Sequence, residues 1–259
     1  MNNIDKIKKK DSLGKRSFYL LPNILTTSAL FAGFYSIVQA MNGSYDHAAL
    51  AIFIALILDG LDGRVARLTN TQSAFGAEYD SLSDMVSFGV APGLIVYVWA
   101  LQPLGKLGWI AAFIYCSCAA FRLARFNVKL DIDNKQFFFG LPSPAAAALL
   151  ASFIWISFDN GISGNEIFLG FFQMQWFAFL LTIFAALSMV TDLRYYSGKD
   201  INLRNSQPFI AILFIVIIFG LISHNPAEVI FIILMGYALS GYVIFFRNRY
   251  IKNTRKKDV

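Results

Sequence analysis

The chain has 259 residues, of which 57% are apolar and only 15% charged, against roughly 25% charged in an average soluble domain. That balance excludes a soluble globular protein and a disordered one. The net charge of +6 does not indicate a nucleic-acid surface, because the basic residues stand at the chain ends and in short loops beside apolar runs.

In chain order, a basic segment over 1–19 precedes the first apolar stretch. Stretches long enough to cross a hydrocarbon core of about 30 Å then recur throughout. Eight are predicted, at 20–41, 47–68, 82–101, 107–127, 142–158, 166–190, 207–222 and 227–246. No small-residue cleavage site follows the first, so it reads as a span rather than a removed leader. Cys116 and Cys118 lie inside the fourth and offer neither a disulfide framework nor a paired metal site. The expected fold class is therefore all-α, a polytopic helical membrane protein of about eight transmembrane helices.

An even number of spans places both chain ends on one side. Every Lys and Arg except Lys106 then falls on that side, from Lys6 through Arg64, Arg122 and Arg194 to Lys257. By the distribution of Lys and Arg that side is cytoplasmic. The expected setting is a cell (inner) membrane, with the basic tail over 247–259 on the same face as the start of the chain.

The chemistry concentrates in LDGLDGRVARLTNTQSAFGAEYDSLSD, from Leu58 to Asp84. Asp59 and Asp62 are three residues apart, and Asp80 and Asp84 four apart, so each pair shares a helix face. A short turn around Thr69–Gly76 would bring the two pairs together. Each ionised Asp at membrane depth costs about 2.5–3.5 kcal/mol on insertion scales, and four together repel one another unless neutralised. Divalent cations answer this, and an all-oxygen donor set suits Mg²⁺, Mn²⁺ or Ca²⁺ rather than zinc. Gly60, Gly63 and Ala66 strip one helix face of side chains, and Arg67 follows with a guanidinium able to grip a phosphate. Metals, an arginine and small residues together suit chemistry at a pyrophosphate.

Asp59, Asp62, Gly63, Ala66, Arg67, Gly76, Asp80 and Asp84 fill the pattern D-x2-D-G-x2-A-R-x8-G-x3-D-x3-D without a gap. In this the chain resembles the CDP-alcohol phosphatidyltransferase family. The resemblance runs over about residues 20–200 and implies a six-helix membrane core, with 201–246 as two additional spans, in a homodimer. It implies that Asp59, Asp62 and Asp80 hold two divalent metal ions, Mg²⁺ or Mn²⁺. Asp84 is implied as general base, also touching the second metal. Gly63, Ala66, Arg67 and Gly76 would bind the CDP part, joined by Ser73 and by Asn23 of the Pro22–Asn23 pair. An acceptor hydroxyl would attack the β-phosphorus of CDP-diacylglycerol and release CMP, with the lipid tails left in the membrane.

The motif specifies the donor only. FRLARFN (Phe121–Asn127), GLPSPAAA (Gly140–Ala147) and LPNILT (Leu21–Thr26) resemble segments of the family's serine-using members, although Ser28 stands where these often carry Asn. L-serine is the expected acceptor, with choline or glycerol 3-phosphate as alternatives. Serine carries a carboxylate, and Arg122 and Arg125 near the end of the fourth span are candidate acceptor contacts. Membrane carboxylates also occur in cation transporters, but no second copy of the cluster or repeat symmetry is present in the sequence. A non-catalytic lipid-binding protein is the remaining alternative, against which the intact Asp84 argues.

Overall fold

The computed structural model of the protein describes residues 3–129, 137–164, 167–168, 172–196 and 225–255. Helix α1 (Asn3–Met41) runs unbroken through the basic segment and the first predicted span, carrying Pro22 within it. Gly43, at φ +78°, allows the tight reversal into α2 (Tyr45–Leu68), which packs antiparallel to α1. Ala48, Ala49, Ile52 and Ala55 line the buried side of α2, and the Ser36 hydroxyl donates to the Ala48 carbonyl at 2.5 Å.

After a turn with Asn70 in the left-handed region at φ 52°, α3 (Ala74–Asp84) begins a rod that continues to Leu104. The rod passes through a π-helical segment (Met85–Val90), α4 (Ala91–Val96), a second π segment (Tyr97–Leu101) and a 3₁₀ turn (Gln102–Leu104). Pro92 explains part of this irregularity. It has no N–H for the carbonyl four residues back, that of Phe88, and the buried Tyr115 hydroxyl donates to that carbonyl at 3.1 Å.

The rod lies parallel to α1 along a seam of small residues. Ser83 donates to the Thr26 carbonyl and Ser87 to that of Ala29, each at 3.1 Å. A Cβ on Gly33 would come within 2.5 Å of Ser87 Oγ, so the backbones meet too closely for any side chain there. Small residues and hydroxyls are how helices associate where lipid removes the hydrophobic drive.

Helix α5 (Lys106–Lys129) returns antiparallel to the rod. Strand β1 (Phe137–Phe139) leads into α6 (Ser143–Asp159), every residue of which from Ala146 to Ile154 is buried. A helix apolar all round belongs at the centre of a bundle, and α6 is that centre. Strands β2 (Ile167–Phe168) and β3 (Phe172–Gln173) precede α7 (Met174–Val190). Strand β4 (Arg194–Tyr196) pairs antiparallel with β1, placing Phe138 opposite Tyr195. The last described element, α8 (Pro226–Arg255), packs on α6 and β4.

The apolar helices make this a membrane protein. Four segments are long and apolar enough to cross: Leu21–Met41, Ala74–Leu104, Lys106–Val128 and Pro226–Arg247. The predicted span at 47–68 forms α2, but Asp59, Asp62, Arg64 and Arg67 keep it out of that set. Helices α6 and α7 have 17 residues each, below the roughly 20 that span a bilayer upright. The stretch 207–222 lies outside the described residues. Two expectations need correction. The fold carries two small two-stranded ladders, β1–β4 and β2–β3, beside its helices. The stretch 166–190 is helical only from Met174, because Ile167–Phe168 and Phe172–Gln173 pair as strands. An aromatic apolar run around a glycine reads equally well as helix or strand by periodicity.

Candidate active site

The α2–α3 hairpin brings the carboxylates together. Ligand oxygens of Asp59, Asp62 and Asp80 all lie within 4.8 Å of one another. Asp84 lies one turn beyond Asp80 on the same helix, at the end of α3. Asp62 is 3% exposed, and its Oδ2 lies 2.7 Å from the Thr26 hydroxyl of α1. That hydroxyl is also 3.1 Å from the Pro22 carbonyl, and its single proton goes to the nearer, charged acceptor. Asp80 Oδ1 is buried with no hydrogen-bond partner among the described residues. Converging hard oxygen donors with an orphaned buried oxygen fit a divalent cation.

Beside the carboxylates opens a cavity of about 330 Å³. Asp62, Gly63, Ala66 and Arg67 of α2 form one wall, and Ser73, Gly76, Ala77 and Asp80 another. Pro22, Asn23 and Thr26 of α1 close a third side, with Thr71 and Gln72 from the turn. A Cβ on Gly63 would meet only the Arg67 guanidinium, at 3.6 Å, and one on Gly60 would meet nothing within 4 Å. These glycines therefore leave room rather than serve helix packing. Arg67 is exposed, and its side chain makes no hydrogen bond or ion pair among the described residues. Ser73 caps α3 by accepting from the Gly76 N–H at 3.0 Å, so Gly76 lies in the first turn of the helix rather than in the connecting turn.

The arginines of α5 stand apart from this cavity and from each other in role. Arg122 donates from Nη1 to the buried Ser143 hydroxyl at 3.0 Å and lies 5.9 Å from the Phe126 ring centroid. Its Nε is buried without a partner among the described residues. Arg125 instead forms an ion pair with Asp192 and donates to the Val190 carbonyl at 3.3 Å, tying α5 to the end of α7.

The segments LPNILT, GLPSPAAA and FRLARFN contain Thr26, the Ser143 partner of Arg122, and Asn127, whose Nδ2 donates to Ser81 Oγ at 3.0 Å, but their sequence assigns none of the three its contact. For Thr26 a signal existed, since it sits three residues after Asn23 on the same helix face. The other two pairings join distant segments and leave no local trace.

The family model for CDP-alcohol phosphatidyltransferases matches residues 19–184. A protein of Helicobacter pylori strain J99 named CDP-diacylglycerol–serine O-phosphatidyltransferase is 37% identical over 245 residues, covering 92% of this chain and 97% of the relative. One of that name from Mycobacterium leprae is 30% identical, covering 84% of this chain and 72% of the relative. An archaetidylserine synthase of Methanothermobacter thermautotrophicus is 37% identical over 149 residues, covering 57% of this chain and 63% of the relative. The chain belongs to the CDP-alcohol phosphatidyltransferase family.

Proposed function

We propose that this chain transfers the phosphatidyl group of CDP-diacylglycerol to the hydroxyl of L-serine, giving phosphatidylserine and CMP. One observation carries the reading. Of the eight motif positions, Asp59, Asp62 and Asp80 converge in one carboxylate cluster, with Asp84 one turn on, beside a cavity that Asn23, Gly63, Ala66, Arg67, Ser73 and Gly76 surround. The names of the relatives support the donor and the acceptor.

Asp59, Asp62, Asp80 and Asp84 would hold divalent ions, two of Mg²⁺ or Mn²⁺. Such ions, when bound, neutralise the pyrophosphate and the departing CMP. Arg67, free over the cavity, grips a phosphate of the nucleotide, while Gly63 and Ala66 let the cytidine portion approach the α2 backbone. Ser73 and Asn23 offer polar contacts from the facing walls. Asp84 accepts the proton of the serine hydroxyl as its oxygen bonds to the β-phosphorus and the bond to CMP breaks. Arg122 receives the serine carboxylate, whereas Arg125, committed to Asp192, braces that end of α5.

The site lies at the cytoplasmic face of a cell membrane, where nucleotide and serine are available, and the acyl chains stay in lipid. We further place the catalytic core at 20–200, two additional spans within 201–246 and eight spans in all, both ends cytoplasmic, in a homodimer. Helices α6 and α7 count among the eight because α6 is buried in protein and α7 abuts it.

The test is CMP release by the purified protein with CDP-diacylglycerol and Mn²⁺ or Mg²⁺, offered serine, glycerol 3-phosphate, inositol phosphate or choline. Release that needs both serine and metal is the expected result. Preference for another acceptor overturns serine, and no release with any acceptor overturns the enzyme.

A further inference from the structure

Helix α2 ends one residue beyond Arg67 in a compact reversal. Asn70 takes the left-handed conformation at φ 52°, and its N–H reaches back to the Arg67 carbonyl at 3.4 Å. The Thr71 N–H reaches the Ala66 carbonyl at 3.0 Å, which completes a Schellman ending. Thr71 is thereby held in the wall of the cavity beside the carboxylates, buried at 7% exposure. It belongs to none of the eight motif positions.

The hydrogen bonds of this turn decide where its protons go. Thr69 Oγ1 lies 2.7 Å from the Val65 carbonyl and 2.7 Å from Thr71 Oγ1. A carbonyl can only accept, so Thr69 gives its single proton to Val65, and both contacts are made only if Thr71 gives its own to Thr69. The amide proton of Thr71 is committed to Ala66. What Thr71 Oγ1 retains is acceptor capacity, and no other hydrogen bond reaches it among the described residues.

A buried acceptor in a cavity wall suits a ligand that brings a donor. Along α2, Gly63 and Ala66 stand between Asp62 and the turn, and along α3, Gly76 and Ala77 stand between the turn and Asp80. These four carry no side chain longer than a methyl group, which leaves room for a flat ring between the helices. At its exocyclic position cytosine carries an amino group, a donor, where uracil carries a carbonyl, an acceptor. A hydroxyl that can only accept pairs with the first and repels the second.

We propose that Thr71 is a specificity-determining residue for the phosphatidyl donor, accepting from the exocyclic amino group of cytosine while Thr69 holds the Thr71 proton away from the base. The inference rests on the cavity holding the nucleotide of CDP-diacylglycerol and is independent of which acceptor is used.

The experiment is calorimetric titration of the full-length protein in detergent and Mg²⁺ with CMP and with UMP, which share ribose and phosphate. Wild type is expected to bind CMP at least about tenfold tighter than UMP. Thr71→Val keeps the shape and removes the acceptor, and is expected to weaken CMP about tenfold while UMP stays within about twofold. Thr71→Ser keeps the hydroxyl and is expected to keep the preference. Thr69→Val frees the Thr71 proton to turn toward a carbonyl, and is expected to strengthen UMP about threefold or more. A preference for CMP that survives Thr71→Val overturns the inference. So does an equal loss of both nucleotides, the mark of a ribose contact or a disturbed turn, and so does UMP binding unmoved by Thr69→Val. A wild type that binds CMP and UMP alike overturns the reading of the base, whereas one that binds neither overturns the nucleotide site proposed above and this inference with it.

Discussion

The Thr26 hydroxyl lies 2.7 Å from Oδ2 of Asp62, so the first helix reaches into the carboxylate cluster carried by the second and third. Asp62 is the one buried member of the cluster, and this donor fixes which of its oxygens remains for another ligand. Thr26→Val keeps the side-chain shape and removes the donor. The half-saturating Mn²⁺ concentration for CMP release is expected to rise about tenfold or more, the usual cost of losing an outer-shell partner. A metal titration of the variant against wild type checks it.

Asp84 sits at the junction of α3 and the π-helical segment. Replacing it by Asn retains size and removes the proposed proton acceptor. A fall in kcat of about 10²–10⁴ is expected, with CDP-diacylglycerol still bound, as measured by single-turnover assays and ligand binding on one preparation.

Chelation is a separate test of the cluster. Dialysis against EDTA is expected to abolish CMP release, and Mg²⁺ or Mn²⁺ to restore it, while Zn²⁺ should not substitute well for an all-oxygen site. The same treatment of wild type should lower Tm, because the crowded carboxylates of Asp59, Asp62 and Asp80 would then lose the countercharge of the proposed ions.

The two α5 arginines should behave differently. Arg122→Ala removes the guanidinium held by Ser143 and is expected to raise the serine KM at least about tenfold. Arg125→Ala breaks a partly exposed pair with Asp192, a contact worth about 0–1 kcal/mol, so its serine KM should move far less than that of Arg122→Ala. Equal shifts in the serine KM would show that both contact the acceptor.

The seam between α1 and the rod supplies a stability test away from the chemistry. Gly33→Val places a branched side chain where even a Cβ would come within 2.7 Å of the Ser87 backbone. Overpacking of this kind costs about 1–3 kcal/mol, and Tm in detergent should fall accordingly.

The carboxylate cluster was legible because its spacing is local. Residues three and four apart share a helix face, so the order of Asp59, Asp62, Asp80 and Asp84 nearly dictates their meeting once α2 and α3 are joined by a turn. The partners of the α5 arginines were not. Arg122 and Arg125 look alike in FRLARFN, yet Asp192 takes one and Ser143 the other, and those partners come from opposite ends of α6–α7. Which side of α8 turns inward could not be read either, since the contact of the Tyr195 ring with Gly241 that fixes it comes from a distant segment. Strands β2 and β3 escaped notice because an apolar run of aromatics carries no period that separates strand from helix.

Helix α7 has 17 residues, about 25 Å at 1.5 Å per residue, and its outward face carries Trp176, Phe177, Leu180, Leu187 and Val190. In the proposed eight-span arrangement α7 crosses the bilayer, and a hydrocarbon slab of about 30 Å would have to thin by about 5 Å along this flank. The strain of that thinning would fall on the host bilayer, so acyl-chain length would become a variable of the enzyme. Short-chain lipids would relieve the deformation around α7 and long-chain lipids deepen it. The membrane this protein helps to build would then act back on the shape of the protein within it.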